Sequence, residues 1–425
     1  MKKNYLSIPC LMAATSLFFS CNKSPLPVVE EPEPQAQMQA APGGMMVISV
    51  MPNNGSSDTK VMAADDPESN INSLQVFVFY GASDSALGQV EGKRETDKYF
   101  TYSDAKSDRA ETVTTTIGAK RIYAIANAPR ISGVDTETTL KAKTLSLGYN
   151  VVEGGNLKGL VMVGASGYES TDAEINVQAQ NVPISAYSAQ SGDASVTTVP
   201  IKLNRLAARI ELQNLKVNFS DTELEGINFT LKEVYLKNVP NTVFLTGQNA
   251  SLLGTETNWS NRISLDGSLA SEIKSLIYSS FNDVLSNTGA DYTVRQSFYC
   301  YPNNTTNDRT DNIWGPRRTR IVIHGELSGS NSYGVNYSTP KQSYYPFSIA
   351  APENFVTSDS TTPATNTHPT HISIVGNHKY VINSITITSE GKPDDTNDGV
   401  LISGRAKINV SVQDWNGTSV MNYEI

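Results

Sequence analysis

The run Ser73-Leu74-Gln75-Val76-Phe77-Val78-Phe79-Tyr80 constrains this chain most strongly. Read with a period of two, it puts Leu74, Val76 and Val78 on one face and Phe77 and Phe79 on the other. A strand that is apolar on both faces must lie between a core and a covering layer. Further strands are expected near 110–117, 121–126, 160–164, 176–179 and 196–203. A second series is expected near 208–212, 215–219, 227–239, 298–301, 320–325, 343–349, 380–387 and 406–412. Helical patterns are confined to 137–145 and 269–285. Turn clusters recur at short intervals and no βα alternation is visible, which predicts a mainly β protein built of antiparallel sandwich domains. The boundary between two such domains is expected near residue 203.

The N-terminal segment has a targeting pattern. Lys2 and Lys3 precede an apolar stretch from Tyr5 to Phe19, too short to span a bilayer, so residues 1–20 read as a signal peptide. Leu17-Phe18-Phe19-Ser20-Cys21 resembles a bacterial lipobox, with Phe18 where Leu is usual. This makes Cys21 the expected lipidation site and predicts a palmitate-type, multiply acylated anchor. An ordinary signal peptide with a chance Cys is the alternative. Pro25, Pro27, Pro32, Pro34 and Pro42 keep 22–44 extended, as a tether. Met45-Met46-Val47-Ile48-Ser49-Val50-Met51 then forms an isolated strand candidate, with Met45, Val47, Val50 and Met51 among its apolar positions. Dense turn signals follow at 52–58, and a second loose stretch carries Lys60.

Composition narrows the function classes. The chain has 33 Lys and Arg against 42 Asp and Glu, a net charge of −9, and no basic patch, which excludes a nucleic-acid or polybasic membrane-surface protein. With 3 Cys and 4 His there is no disulfide framework and no Cys/His metal site to expect. Cys300 lies in the strand-like Ser297–Tyr301 and reads as a buried small hydrophobe. His324 sits inside a strand and is expected to face solvent. His368 and His371 lack a neighbour that would complete a metal set. Asp394-Asp395-Thr396-Asn397-Asp398-Gly399 weakly resembles a calcium loop, but Arg405 stands where the bidentate Glu belongs, so an acidic turn is the better reading. No phosphate loop, dinucleotide fingerprint or nucleophile elbow is present. No enzyme, no cofactor and no metal are expected.

Several features occur together in order. Cys21 is followed by a Pro/Glu tether, and Lys60-Val61 opens a stretch that becomes acidic at Asp65–Glu68 and leads into the strand at Ile71–Phe79. Further on come Leu203–Ile210, Asn377–Ile382, and Ala406–Gln413 running into Asp414-Trp415. In this order and spacing the chain resembles the type V pilus subunits of Bacteroidales-type bacteria, the fimbrillins. The resemblance implies transthyretin-like or Greek-key sandwich domains and a cell-surface fimbria that mediates adhesion. It also implies a lipoprotein precursor in the outer membrane, trimmed at a basic residue by a trypsin-like protease. Here that residue is Lys60, with Val61 as the new N-terminus, where the best-known family protease cuts after Arg. The expected organisation is a signal peptide at 1–20, a tether and removable strand at 21–60, an N-terminal domain at 61–203 and a C-terminal domain at 204–425.

The two ends suggest how such subunits would join. Removing the strand at 45–51 would open a groove with unpaired backbone groups, which invites an added strand. The tail offers one, with Met421, Tyr423 and Ile425 alternating after Val420. A head-to-tail contact of this kind propagates a filament. The expected partners are other copies of this chain and other fimbrial subunits, with host or bacterial surface ligands beyond them and no nucleic acid. Two alternatives stay open. One is a surface glycan-binding β-sandwich lipoprotein that keeps its lipid. The other is a tip adhesin of the same fimbriae. In the tail itself, an ordinary edge strand of the chain's own domain is the alternative to a donor.

Overall fold

Short runs of β-branched and aromatic residues, cut by Gly, Asn and Pro, form strands almost throughout. The computed structural model describes residues 43–53, 67–82, 89–116, 118–153, 156–166, 175–177, 184–185, 200–245, 263, 265, 269–303, 319–349, 374–395, 407–414 and 421–424. The first series comprises β1 (Gly43–Pro52), β2 (Ser73–Tyr80), β3 (Arg94–Thr101), β4 (Arg109–Thr116), β5 (Gly118–Ala126), β6 (Thr144–Ser146), β7 (Val151–Glu153), β8 (Asn156–Gly159), β9 (Met162–Ala165), β10 (Ile175–Val177), β11 (Ile184–Ser185) and β12 (Ile201–Arg205). The second comprises β13 (Ala208–Asn218), β14 (Asn228–Lys237), β15 (Thr242–Phe244), β16 (Tyr278–Leu285), β17 (Thr288–Cys300), β18 (Arg320–Ser330), β19 (Asn336–Ser348), β20 (His378–Ile387), β21 (Lys407–Asp414) and β22 (Met421–Glu424). Two short α-helices, α1 (Glu137–Lys141) and α2 (Ser271–Ile277), lie between strands. The mainly β class read from the sequence is the class observed.

A nine-stranded sheet runs β11-β1-β12-β9-β5-β2-β3, with β4 paired to β1 and β10 to β5. Its strands close over a common apolar interior. Met46, Ile48 and Val50 of β1, Val113 of β4 and Ile201 and Leu203 of β12 meet Leu74, Val76 and Val78 of β2 and Ile122, Ala124 and Ala126 of β5. Close packing here requires a missing side chain. A Cβ on Gly164 of β9 would lie 2.4 Å from the Lys202 carbonyl of β12. The alternate face of β2 and β5 carries Phe77, Phe79, Tyr123 and Ile125 into a second, larger core. The two-faced reading of Ser73–Tyr80 is thereby explained.

That larger core lies between a five-stranded sheet, β17-β13-β20-β21-β22, and a four-stranded sheet, β16-β14-β18-β19. Strand membership changes sheets between Arg205, at the end of β12, and Ala208, at the start of β13. The apolar interior is continuous across that change, and β15 pairs with β6 across it.

Three expectations need correction. The pairing is not uniformly antiparallel: β1 runs parallel to β11 and β12, and β13 runs parallel to β20. These neighbours are distant in sequence, and only adjacent hairpin strands are obliged to be antiparallel. The helix expected over 269–285 stops at Ile277, and Tyr278–Leu285 becomes β16 against β14. Its aromatic and β-branched residues satisfy a waiting sheet edge better than a helix end. The polar β3, Arg94-Glu95-Thr96-Asp97-Lys98-Tyr99-Phe100-Thr101, escaped the hydrophobic pattern altogether. It is an edge strand whose Glu95 pairs at 3.0 Å with the fully buried Lys120 of β5.

Candidate functional site

β1 is an N-terminal strand placed inside a sheet. On one side it pairs antiparallel with β4, from Gly43 opposite Thr116 to Val50 opposite Arg109. On the other it pairs parallel, Met46 and Val47 with Ile184 and Ser185, then Val50 to Pro52 with Ile201 to Leu203. Met46, Ile48 and Val50 are each 0 % exposed. Ser49, the polar break in the run, lies on the outer face with Val47, and Met51 is 37 % exposed. The apolar positions picked for this strand therefore need rephasing. Val50 anchors it, Val47 is half-buried on the outer side, and the side chain of Met45 lies outside the described residues. Met46 and Ile48 join Val50 on the sealed face, and Ser49 marks in the sequence which parity faces out.

Both flanks of the segment 54–66 dock where the first series ends at β12 and the second begins at β13. The Asn53 amide donates to the Leu203 carbonyl at 2.7 Å, its side-chain amide donates to Asn204 at 2.7 Å, and its carbonyl accepts from Asn377 Nδ2 at 3.4 Å. On the far flank, Arg205 is 1 % exposed and donates from Nε to the Glu68 carbonyl at 3.0 Å and from Nη2 to Ser69 Oγ at 2.8 Å. Its Nη1 and backbone amide both donate to Asn377 Oδ1 at 3.3 Å. The Glu68 carboxylate accepts from Arg209 Nη1 at 2.8 Å and from the Tyr299 hydroxyl. Burial works against the charge on Arg209, but Glu68, Tyr299 and Glu211 outweigh it and hold that guanidinium above its ordinary value.

The next residues are fastened from the other direction. Arg109 of β4, 8 % exposed, donates to the Ile71 carbonyl from Nε at 3.2 Å and from Nη2 at 3.0 Å, and its guanidinium lies 3.9 Å from the centre of the Tyr102 ring. Its Nη1 meets Asp104 at 2.8 Å, and hydrogen bonds from Lys106 and Arg109 hold that carboxyl below its usual range. Asn127 accepts from the Asn72 amide at 2.8 Å and donates to the Asn70 carbonyl at 2.7 Å. Asn127 and Asn377 both adopt left-handed backbone, with φ of 60° and 58°, a conformation asparagine tolerates better than most residues.

The segments Leu203–Ile210 and Asn377–Ile382, far apart in the chain, are brought together here. Arg205 meets Asn377, and Arg209 and Ile210 of β13 stand opposite Lys379 and Tyr380 of β20. The C-terminal strand β22 is the outermost strand of the same sheet, with Val412 to Asn409 of β21 opposite Met421 to Glu424. Cys21, Lys60, Val61, Val420 and Ile425 lie outside the described residues, as do His368 and His371.

Other candidates resolve differently. Cys300 is fully buried, and burial pushes its thiol up. His324 is 9 % exposed rather than solvent-facing, because it stacks on Tyr344 at 4.1 Å and bonds to Glu233 and Gln342 at 2.8 and 2.6 Å. Asp395 accepts from Tyr235 at 2.9 Å and pairs with Lys237 at 3.2 Å, so this carboxylate is spent on internal contacts. Among the described residues no cluster of three or more His, Cys, Asp or Glu could hold a metal ion. No described helix is long and apolar enough to cross a membrane.

Comparison with known proteins follows the same outline. Residues 45–205 match the family described as major fimbrial subunit protein (FimA), a stretch that begins within β1 and ends with β12. The resemblance to fimbrillins is thereby borne out. Among solved structures, a proposed cell adhesion protein from Parabacteroides distasonis superposes with a TM-score of 0.54 at 19 % identity, covering 89 % of this chain and 99 % of that one. A fimbrilin (fimA) from Porphyromonas gingivalis gives 0.54 at 15 % identity, covering 88 % and 98 %. A second Parabacteroides distasonis protein of the same description gives 0.50 at 16 % identity, covering 89 % and 100 %. At these identities the likeness is one of fold. No curated protein matches the chain in sequence.

Proposed function

We propose that this chain is a structural subunit of a cell-surface fimbria that assembles with other copies of itself by exchange of strands. The observation that carries the reading is the position of β1. It is the first described strand of the chain, yet it lies between β4 on one side and β11 and β12 on the other and plugs the smaller core. In this reading the precursor is exported as a lipoprotein through Cys21 and held at the outer membrane. A trypsin-like protease then cuts at Lys60–Val61, β1 departs, and the tail strand with Val420, Met421, Tyr423 and Ile425 of another copy takes its place.

Energetics support an ordered sequence. Met46, Ile48 and Val50 are fully buried, and at ~1.5–3 kcal/mol each they hold the plug with roughly 5–9 kcal/mol, gross, before ordering costs. Uncut protein therefore stays monomeric. Once β1 leaves, β4 and β12 each lose a ladder and the apolar interior opens, a combination that strand addition repairs. The match to the major fimbrial subunit family over 45–205 supports the same direction.

The test is deletion of residues 420–425. The truncated protein is expected to keep its circular dichroism spectrum and to stay monomeric after cleavage near Lys60, where the full chain forms ladders on an unheated SDS gel. Ladders from the truncated protein would place the donor elsewhere, and loss of folding would make the tail an ordinary core strand.

A further inference from the structure

We infer that Arg205 is a positioning residue for the groove. It holds the start of the wall segment Glu68–Ser73 in place from β12, a strand that keeps its ladder with β9 when β1 is gone, so that the groove keeps its shape while it is empty. This inference rests on the reading that β1 leaves.

The segment needs such a hold. It begins directly after 54–66, and Ile71 is 0 % exposed within the same small core that β1 plugs. A chain end beside a vacated groove is ordinarily where unravelling starts. Here every named bond to the segment ends on a residue outside β1. Arg205 takes the Glu68 carbonyl and Ser69 Oγ, Arg209 and Tyr299 take the Glu68 carboxylate, and Arg109 takes the Ile71 carbonyl. The Ile71 amide donates to the Lys106 carbonyl at 2.8 Å, and Asn127 brackets Asn70 and Asn72. The holding groups that do not share a ladder with β1 alone come from β12 and β13 on one side and the end of β5 on the other, whereas Arg109 of β4 stands opposite Val50 of β1 and loses that ladder with it. The guanidinium of Arg205 is itself buried, so withdrawing it would break its bonds to the Glu68 carbonyl and Ser69 Oγ inside the protein, a change the interior opposes. By contrast, Asn53 on the β1 flank is tied to this cluster by bonds that end with it when β1 goes.

The experiment uses the full chain with a site-specific protease sequence substituted for residues 56–62. Uncut and cut proteins, the latter passed through a column in mild denaturant at low concentration, are followed by hydrogen exchange and intact mass. In the wild type, exchange at Ile71, Asn72 and Ser73 is expected to quicken less than ~10-fold when β1 is lost, while exchange across Arg109–Thr116 quickens more than ~100-fold. In Arg205→Met the uncut protein is expected to match the wild type in this segment, and protection at 71–73 is expected to vanish only once β1 has gone. A merely structural role would move both states equally. If Arg205→Met does not fold, Ser69→Ala, which removes one of the two bonds from Arg205 to the segment, must show the same state-dependent loss in weaker form. Free exchange at 71–73 in the β1-free wild type, or identical behaviour of the variants and wild type, overturns the inference while leaving strand release intact. Failure of the β1 fragment to separate by mass overturns the reading beneath it as well.

Discussion

The first and last described strands, β1 and β22, are held in opposite ways. β1 has neighbours on both sides along much of its length, and alternate residues are sealed in a core. β22 has four residues and one neighbour, β21. A strand with two ladders and three buried side chains does not leave without local unfolding, whereas an edge strand exchanges one ladder for another. How firmly a strand is held therefore depends on how many sides of it are occupied.

Hydrogen exchange tests this difference at its largest. Amides across Met46–Val50 are expected to exchange only through global opening, and those of Met421–Glu424 through local fraying, a contrast of at least ~10⁴ in protection for a domain of ordinary stability. Equal protection at the two ends would break the comparison.

Truncation sharpens it further. Ile48→Ala is expected to destabilise the uncut protein by about 2–5 kcal/mol, because a fully buried branched side chain leaves a cavity. Met51→Ala, on the outer face, should stay within about 0.5 kcal/mol. Urea unfolding of the two variants decides it, and a Met51 cost equal to that of Ile48 would mean the phase of β1 is wrong.

The smallest expected effect is alkaline. Burial and a hydrogen bond to a carboxylate push Tyr278, Tyr292 and Tyr337 up to about 12, through Glu233, Asp283 and Glu390 respectively. Their folded values lie above the unfolded value near ~10. The stability they contribute is therefore complete below that value and drains away as pH climbs through about 12. Beside β1, Tyr102 is pushed up further, by burial first and then by Glu111. Raising the pH should loosen β16, β17 and β19 before β1, as followed by tyrosinate absorbance with regional hydrogen exchange. Simultaneous loss in both regions would contradict this ordering.

Local alternation determined a good deal by itself. The mainly β class, the two-faced strand Ser73–Tyr80, the strand at Gly43–Pro52 and the burial of Cys300 were all legible, because each depends on period-two patterning or on composition within a few residues. Ser49 even carried the phase of β1. Other features depended on pairings between distant segments, which no window along the chain contains. β3 is too polar to announce itself and becomes a strand only because β2 offers it an edge and Lys120 a partner for Glu95. Tyr278–Leu285 has a plausible helical pattern until β14 presents a ladder. Arg205 and Asn377 stand 172 positions apart. Their meeting, which fastens both flanks of 54–66 to one point, is decided by where β12 ends and β20 begins. A buried guanidinium finds its acceptors in three dimensions, and only the folded chain brings them within reach.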